Sequence, residues 1–448
     1  MLLSLLASLL LAPAFAGPAL DSLSLGAPAP AAAPEPARPP LREWTVLVYM
    51  NGKSNIEPFA LGDLNRFETV GSSEKVAIVA EIGRSKGLDN DTTADGDWAG
   101  VRRYYVTKDA DLEHIASPLL ADLGNPDMGD WRQAAAFLKW GKAAYPAKKY
   151  VFVIWDHGWG WLDPVKPGQG PDEGKSISHD FVTGNYIGTR QMGSIFKEAG
   201  KVDMYVSMAC FMQMAEVAYE IKDGADVIVG AEEVIQLPGL NWESFLALLQ
   251  ANPAAGAEKA GVFMVDTFKE MYSRPEMLEL LAQGGYGTQL SAIRGAKMRG
   301  LTAKIKNWYT LAMAAGDLTA LAKAKTEVVR FEIGDPSTDP DKQIAFYGDL
   351  SHFVDLAARH ADQSRPGASA AKEAGERLNK FIAEELVIKN ASIGRDRTGK
   401  DFSAVKGLAI NIPGRTGTLI EYYPTYEKLL FAQDSGWGVF TKYLEAAN

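Results

Sequence analysis

The stretch Val202-Asp-Met-Tyr-Val-Ser-Met-Ala-Cys210, continuing as Phe211-Met-Gln-Met-Ala-Glu-Val-Ala-Tyr-Glu220, decides the fold class. Its first half is β-rich and alternates, as a buried strand does. Its second half has helical spacing, with Met214, Val217 and Ile221 on one face. The pattern predicts a strand that hands over to a helix at Cys210, the only cysteine in the chain. A thiol at a helix N-terminus has its thiolate favoured by unpaired amides and the helix dipole. Upstream, Lys149-Tyr-Val-Phe-Val-Ile-Trp155 reads as a second buried strand and runs straight into Asp156-His157-Gly158-Trp159-Gly160. Two strands thus end in a histidine and a cysteine. As parallel neighbours they would carry both residues to the carboxyl edge of one sheet, where open α/β folds place their sites.

The surrounding chain supports that reading. Trp44-Thr-Val-Leu-Val-Tyr-Met50 is a strong strand with a turn, Asn51-Gly-Lys-Ser-Asn55, at its carboxyl end. Helical spacing follows over 56–70, then strands at 76–82 and 101–106, a helix over 129–144, a helix near 188–199 and a strand over 226–231. Alternation of this kind predicts an α/β fold, a sheet with helices on its faces, over 42–250. From 251 to 448 the pattern is mainly helical, with helices expected over 255–273, 289–334, 349–361 and 369–388. One late strand, Gly407-Leu-Ala-Ile-Asn-Ile412, is expected to rejoin the sheet. Residues 163–178, rich in Pro and Gly, read as an exposed insertion between the two candidate residues, the kind of segment where nicking concentrates.

Residues 2–12 are apolar, and Ala14-Phe15-Ala16 has the small-x-small pattern of a signal peptidase site, so 1–16 reads as a signal peptide and the protein as exported. Residues 17–41, dominated by Ala and Pro, read as a tether. No other stretch looks transmembrane. The formal net charge of −10 argues against a nucleic-acid partner, which selects a basic face. Asp89, Asp91, Asp95 and Asp97 supply oxygens suited to calcium, without the spacing of an EF-hand loop.

A cysteine nucleophile needs a proton donor for the leaving group and amides to hold the developing oxyanion. The candidates are Cys210 as nucleophile, His157 as general acid/base, and the backbone amides of Gly158 and Cys210. The histidine precedes the cysteine by about 50 residues, the order and separation of caspases. The bland readings stand beside these: a cysteine after an apolar strand can be a small buried hydrophobe, and a histidine in a Gly/Trp loop can be structural. Trp155, Trp159 and Trp161 read as aromatic core or pocket wall, with a glycan platform as the alternative. Gly-x-Ser-x-Gly, Walker A and His-Glu-x-x-His motifs are absent from the sequence.

Taken together, several blocks are similar to successive blocks of the clostripain family of cysteine peptidases. These are Trp44-Thr-Val-Leu-Val-Tyr-Met-Asn-Gly52, Trp155-Asp-His-Gly-Trp-Gly-Trp161, Ala209-Cys-Phe-Met212 with Glu216-Val-Ala-Tyr-Glu220, Val229-Gly-Ala-Glu-Glu233, Gly239-Leu-Asn-Trp242 and Tyr423-Pro-Thr-Tyr-Glu-Lys-Leu-Leu-Phe-Ala432. They occur in the family's order and span 43–446. The resemblance implies a caspase-like, mostly parallel sheet flanked by helices and peptide-bond hydrolysis through a His157/Cys210 dyad. It also implies self-cleavage in the 163–178 loop, with Lys166 and Lys175 as cut sites. Members typically cleave after Arg or Lys, and some depend on calcium. Met208 stands where the family usually has an aspartate that lines the pocket for a basic P1 side chain; Glu232 and Glu233 are the residues available to replace that charge, and Ala231 stands where Ser is common. The expectation is an exported cysteine endopeptidase acting on proteins or peptides. The alternative is a non-catalytic exported binding protein on the same scaffold.

Overall fold

The computed structural model describes residues 41–162, 177–285, 287–333, 344–396, 399–414 and 422–446. The expected signal peptide, the tether up to residue 40, and Lys166 and Lys175 lie outside the described residues. Leu41–Asn448 forms one compact unit. Its strands are β1 (Arg42–Gly52), β2 (Val76–Arg84), β3 (Gly100–Tyr105), β4 (Leu119–Asp122), β5 (Ala147–Trp155), β6 (Ile177–Asp180), β7 (Asn185–Ile187), β8 (Val202–Met208), β9 (Ala225–Gly230), β10 (Thr288–Arg294), β11 (Arg330–Ile333), β12 (Ile344–Asp349), β13 (Val387–Ile393) and β14 (Ala409–Asn411).

Nine of these form one sheet in the order β13-β10-β9-β8-β5-β1-β2-β3-β4. The middle five, β9, β8, β5, β1 and β2, run parallel. Antiparallel strands close the sheet at both edges, β3 and β4 on one side and β10 and β13 on the other. Helices cover both faces, so every residue of β2, and of β1 from Trp44 on, is buried. That is why these strands read as continuous apolar runs. Alternate residues part to opposite sides. Leu47, Tyr49, Phe152, Ile154 and Tyr205 pack in one core with residues of helices Trp131–Ala144, Thr189–Ala199 and Met298–Ala315. Val46, Val48, Met50, Val151, Val153, Met204 and Val206 pack in the other, with helices Glu57–Glu68, Trp242–Ala251 and Ala257–Tyr272. Each such side chain, fully buried, contributes roughly 1.5–3 kcal/mol.

The strand order reverses at β1, which has β2 on one side and β5 on the other. The crevice at the carboxyl ends of β1 and β5 is therefore the topological switch point, the usual ligand position in an open α/β sheet.

The region after 250 differs from expectation in its strands. The late strand forms as β14, but it pairs with β12 in a separate sheet, β11-β12-β14. Two other segments, β10 and β13, are the ones that join the nine-stranded sheet. β10 falls inside the run expected to be helical from 289. The end of the 163–178 insertion also differs: Ile177 and Ser178 are buried and open β6, which pairs with β7 as a hairpin.

Candidate active site

The site is built from the loops that leave β1, β5 and β8 at the same sheet edge. β5 and β8 are parallel neighbours, and their register pairs Trp155 with Met208. The pairing runs one residue further, with the Asp156 amide donating to the Met208 carbonyl at 3.2 Å. His157 and Cys210 each follow two residues beyond the Trp155–Met208 pair, side by side at the carboxyl rim. The loops touch backbone to backbone. A Cβ at Gly158 would lie 2.5 Å from the Cys210 carbonyl oxygen and 2.9 Å from the Ala209 Cβ, so only glycine fits. His157 and Cys210 are both partly exposed.

The chain around Cys210 corrects one expectation. The following helix spans Ala215–Ile221, with Met214 as its N-cap residue, so Cys210 lies ahead of the helix rather than at its N-terminus. A helix dipole acts mainly within its first turn and supplies little to this thiol. A tight turn takes its place. Phe211 has φ +61°, a left-handed conformation that costs a residue with a Cβ about 1 kcal/mol or more. The turn is held by the Phe211 amide donating to the Glu233 carbonyl at 3.3 Å and the Gln213 amide to the Ala231 carbonyl at 2.9 Å. The buried Phe211 ring lies 6.0 Å from that of Tyr347.

The loop after β1 supplies what the sequence did not reveal. The Asn55 Oδ1 lies 2.7 Å from the His157 Nε2. Asn55 ends a turn with a buried polar frame. The Lys53 amide donates to the Asn51 Oδ1 at 3.1 Å, and the Lys53 ammonium pairs with Asp180 at 3.2 Å and donates to the Pro126 carbonyl at 2.6 Å. The Ser54 hydroxyl donates to the Asp156 Oδ1 at 3.4 Å. The Phe181 amide donates to the Lys53 carbonyl at 2.9 Å, and the Phe181 ring stacks on His157 with centroids 6.4 Å apart. Asp156 is buried, and desolvation first, with Asp180 nearby, pushes its carboxyl well above the usual range. It accepts the backbone amides of His157 and His179. The acid adjacent to His157 in sequence thus anchors loops.

Of the pocket candidates, Met208 is partly exposed and rests on a glycine: a Cβ at Gly239 would lie 2.3 Å from the Met208 Cε. The Tyr272 hydroxyl holds that turn, donating to the Gly239 carbonyl at 3.1 Å. Burial raises the Tyr272 hydroxyl's pKa, with Cys210 among the smaller causes. Glu232 does not line an open pocket. It is fully buried, and desolvation first, then the Asp349 carboxyl it faces, push it well above the carboxylate range. Asp349 itself is raised to about 6, chiefly by burial, and accepts the amides of His352 (2.7 Å) and Lys406 (2.6 Å). Glu233 is buried and accepts the Val234 amide at 2.8 Å. Asp63, pushed up to about 6 chiefly by burial, accepts the Trp155 indole at 2.7 Å and Arg66 at 2.9 Å. Trp155 and Trp161 are buried in the core, and Trp159 is partly buried against it.

Three carboxylates of the acidic loop have partners of their own. Asp91 accepts the Leu88 amide at 3.0 Å, Asp95 the Ile115 amide at 2.7 Å, and Asp97 pairs with Lys86 at 2.9 Å. Asp91 and Asp95 each keep one buried oxygen without a partner. Among the described residues, however, no three His, Cys, Asp or Glu side chains come together to hold a metal.

A mostly parallel sheet flanked by helices, with a histidine and a cysteine just beyond two adjacent parallel strands beside the switch point, is a caspase-like α/β fold. The chain belongs to the clostripain family, whose model matches residues 48–444. It is 24% identical over 230 residues to clostripain of Hathewaya histolytica, an alignment covering 48% of this chain and 43% of that protein. Two solved structures share the fold. One is an inactive zymogen C11 protease from Parabacteroides distasonis, with a TM-score of 0.63, 18% identity, and coverage of 89% of this chain and 99% of that one. The other is a secreted C11 cysteine protease from Bacteroides thetaiotaomicron in complex with an irreversible peptide inhibitor, with a TM-score of 0.60, 18% identity, and coverage of 88% and 99%. Among the described residues, no helix is long and apolar enough to cross a membrane.

Proposed function

We propose that this chain is an exported cysteine endopeptidase. The observation that carries the reading is the backbone contact between the His157 and Cys210 loops at Gly158. Cys210 Sγ attacks the scissile carbonyl carbon, forming a C–S bond, and the thiol proton passes to the His157 imidazole. The amides of Gly158 and Cys210 donate to the oxyanion. As the tetrahedral intermediate collapses, the C–N bond breaks and the imidazolium gives its proton to the departing amine. His157 then takes a proton from water, whose oxygen attacks the thioester carbonyl and releases Cys210.

The substrate is a protein or peptide with an uncharged, apolar P1 side chain. Met208 offers a thioether where a basic P1 residue would need a carboxylate; Glu232 is sealed in the interior facing the Asp349 carboxyl, and Glu233 is buried and accepts the Val234 amide. A buried cation without a counter-charge is strongly disfavoured. Self-cleavage after Lys166 or Lys175, which the family resemblance implies, needs a basic P1 side chain and is not part of this proposal. The secreted Bacteroides protease of the same fold agrees with export.

The test is hydrolysis of a peptide library by wild-type protein and by Cys210→Ala. The substitution should lower turnover at least about 10³-fold, with thermal stability within about 1 kcal/mol of wild type because the thiol is partly exposed. Undiminished cleavage by Cys210→Ala would end the proposal.

A further inference from the structure

The bond between Asn55 and His157 joins the loops of β1 and β5 across the switch point, over a separation of 102 residues. We propose that Asn55 is the positioning residue of this site: it accepts the Nε2 proton of His157, which fixes the tautomer whose lone pair is on Nδ1 and orients the ring toward the cysteine loop. The proposal rests on the peptidase reading for its kinetic part and on geometry alone for its tautomer part.

Three features separate this contact from an incidental one. First, an amide oxygen can only accept, so a 2.7 Å approach to Nε2 requires the proton on that nitrogen. Second, Asn55 is carried on the frame described above, where Lys53, Ser54 and Asn51 are all buried and hydrogen-bonded. Its carbonyl also accepts from Asn90 Nδ2 at 3.4 Å. Third, the ring has a second constraint: Phe181 stacks on it at an interplanar angle of 17°. An edge-on acceptor and a stacked face together define the ring's position and its plane. The neighbouring acid, Asp156, is engaged by backbone amides and the Ser54 hydroxyl.

The chemistry favours an amide over a carboxylate here. Asn55 accepts the same proton from the neutral and the cationic ring and adds no charge. The ring can therefore receive the thiol proton and deliver it to the leaving amine with the Asn55 bond kept throughout. Aspartate at this position would stabilise the imidazolium and move the histidine's titration upward by about 1 unit or more.

The test uses the full chain as wild type, Asn55→Ala and Asn55→Asp, with kcat and KM across pH and the imidazole ¹⁵N resonances of the five histidines. Wild-type His157 should show the Nε2–H tautomer and Asn55→Ala a mixture of tautomers. Asn55→Ala should lose about 10- to 100-fold in kcat with KM changed less than about 3-fold. Asn55→Asp should recover most of kcat, with the His157-dependent limb of the kcat/KM profile moved upward by about 1 pH unit. Wild-type kcat and an unaltered tautomer in Asn55→Ala would overturn the proposal. So would equal losses in both variants with no displacement of either limb, which is the result of a purely structural role. The resonance measurement decides the tautomer whether or not the wild-type chain cleaves peptides, so absent wild-type turnover counts against the peptidase reading alone.

Discussion

Met208 stands two residues before the proposed nucleophile, and its methyl packs on Gly239, so a carboxylate introduced there would face the same wall. Met208→Asp should therefore shift the ratio of kcat/KM for Arg over Leu at P1 toward Arg by about 30-fold or more, equivalent to about 2 kcal/mol or more of charge pairing. P1-varied peptides at fixed flanks measure this, and an unchanged ratio would remove Met208 from the pocket. The candidate histidine and cysteine were legible as residues because each closely follows an apolar strand. Asn55 was not, since the role proposed for it depends on a contact made only after β1 and β5 pair; the rule that sites gather at a switch point is the signal that could have found its loop.

Gly158 and Phe211 belong to the scale of loops and strands, because each sets how one turn meets another. Gly158→Ala would press a methyl against the Cys210 carbonyl and Ala209, both backbone-anchored. The expected outcome is a destabilisation of about 1–3 kcal/mol in denaturant melts and about a 100-fold loss of kcat/KM through displaced loops. Near-wild-type values for both would mean the loops do not abut. The five parallel strands were readable because burial on both faces forces uninterrupted Val, Ile and aromatic runs. The turn between Cys210 and the helix was not, since the helical spacing of Met214, Val217 and Ile221 reads as running back to Cys210, whereas Phe211 and Gln213 are held by the loop after β9. β10 was hidden for a related reason: Gln289-Leu-Ser-Ala-Ile-Arg294 is composed largely of good helix formers, and its strand conformation comes from pairing with β9 and β13.

Across the whole molecule, buried carboxyls tie the Cys210 region to the C-terminal elements. Glu216, in the helix after the cysteine turn, accepts the Asn411 amide at 3.0 Å and the Tyr426 hydroxyl at 2.8 Å. Burial raises its pKa to about 7 from an ordinary 4.5. The folded chain then holds this proton more tightly than the unfolded chain, so the contribution is greatest at low pH and is lost as pH rises from 4.5 through about 7. Glu216→Gln keeps the acceptor oxygen without the titration and should flatten the fall of Tm across that window; a slope identical to wild type would show that Glu216 is not raised. The central claim, that Cys210 is the nucleophile served by His157, is tested most directly by intact mass after exposure to an irreversible thiol-directed peptidyl inhibitor. The account predicts one adduct, located on Cys210, absent in Cys210→Ala and formed at least about 10-fold more slowly in His157→Ala. A folded wild-type chain that gains no adduct, or gains it at the same rate without His157, would contradict it.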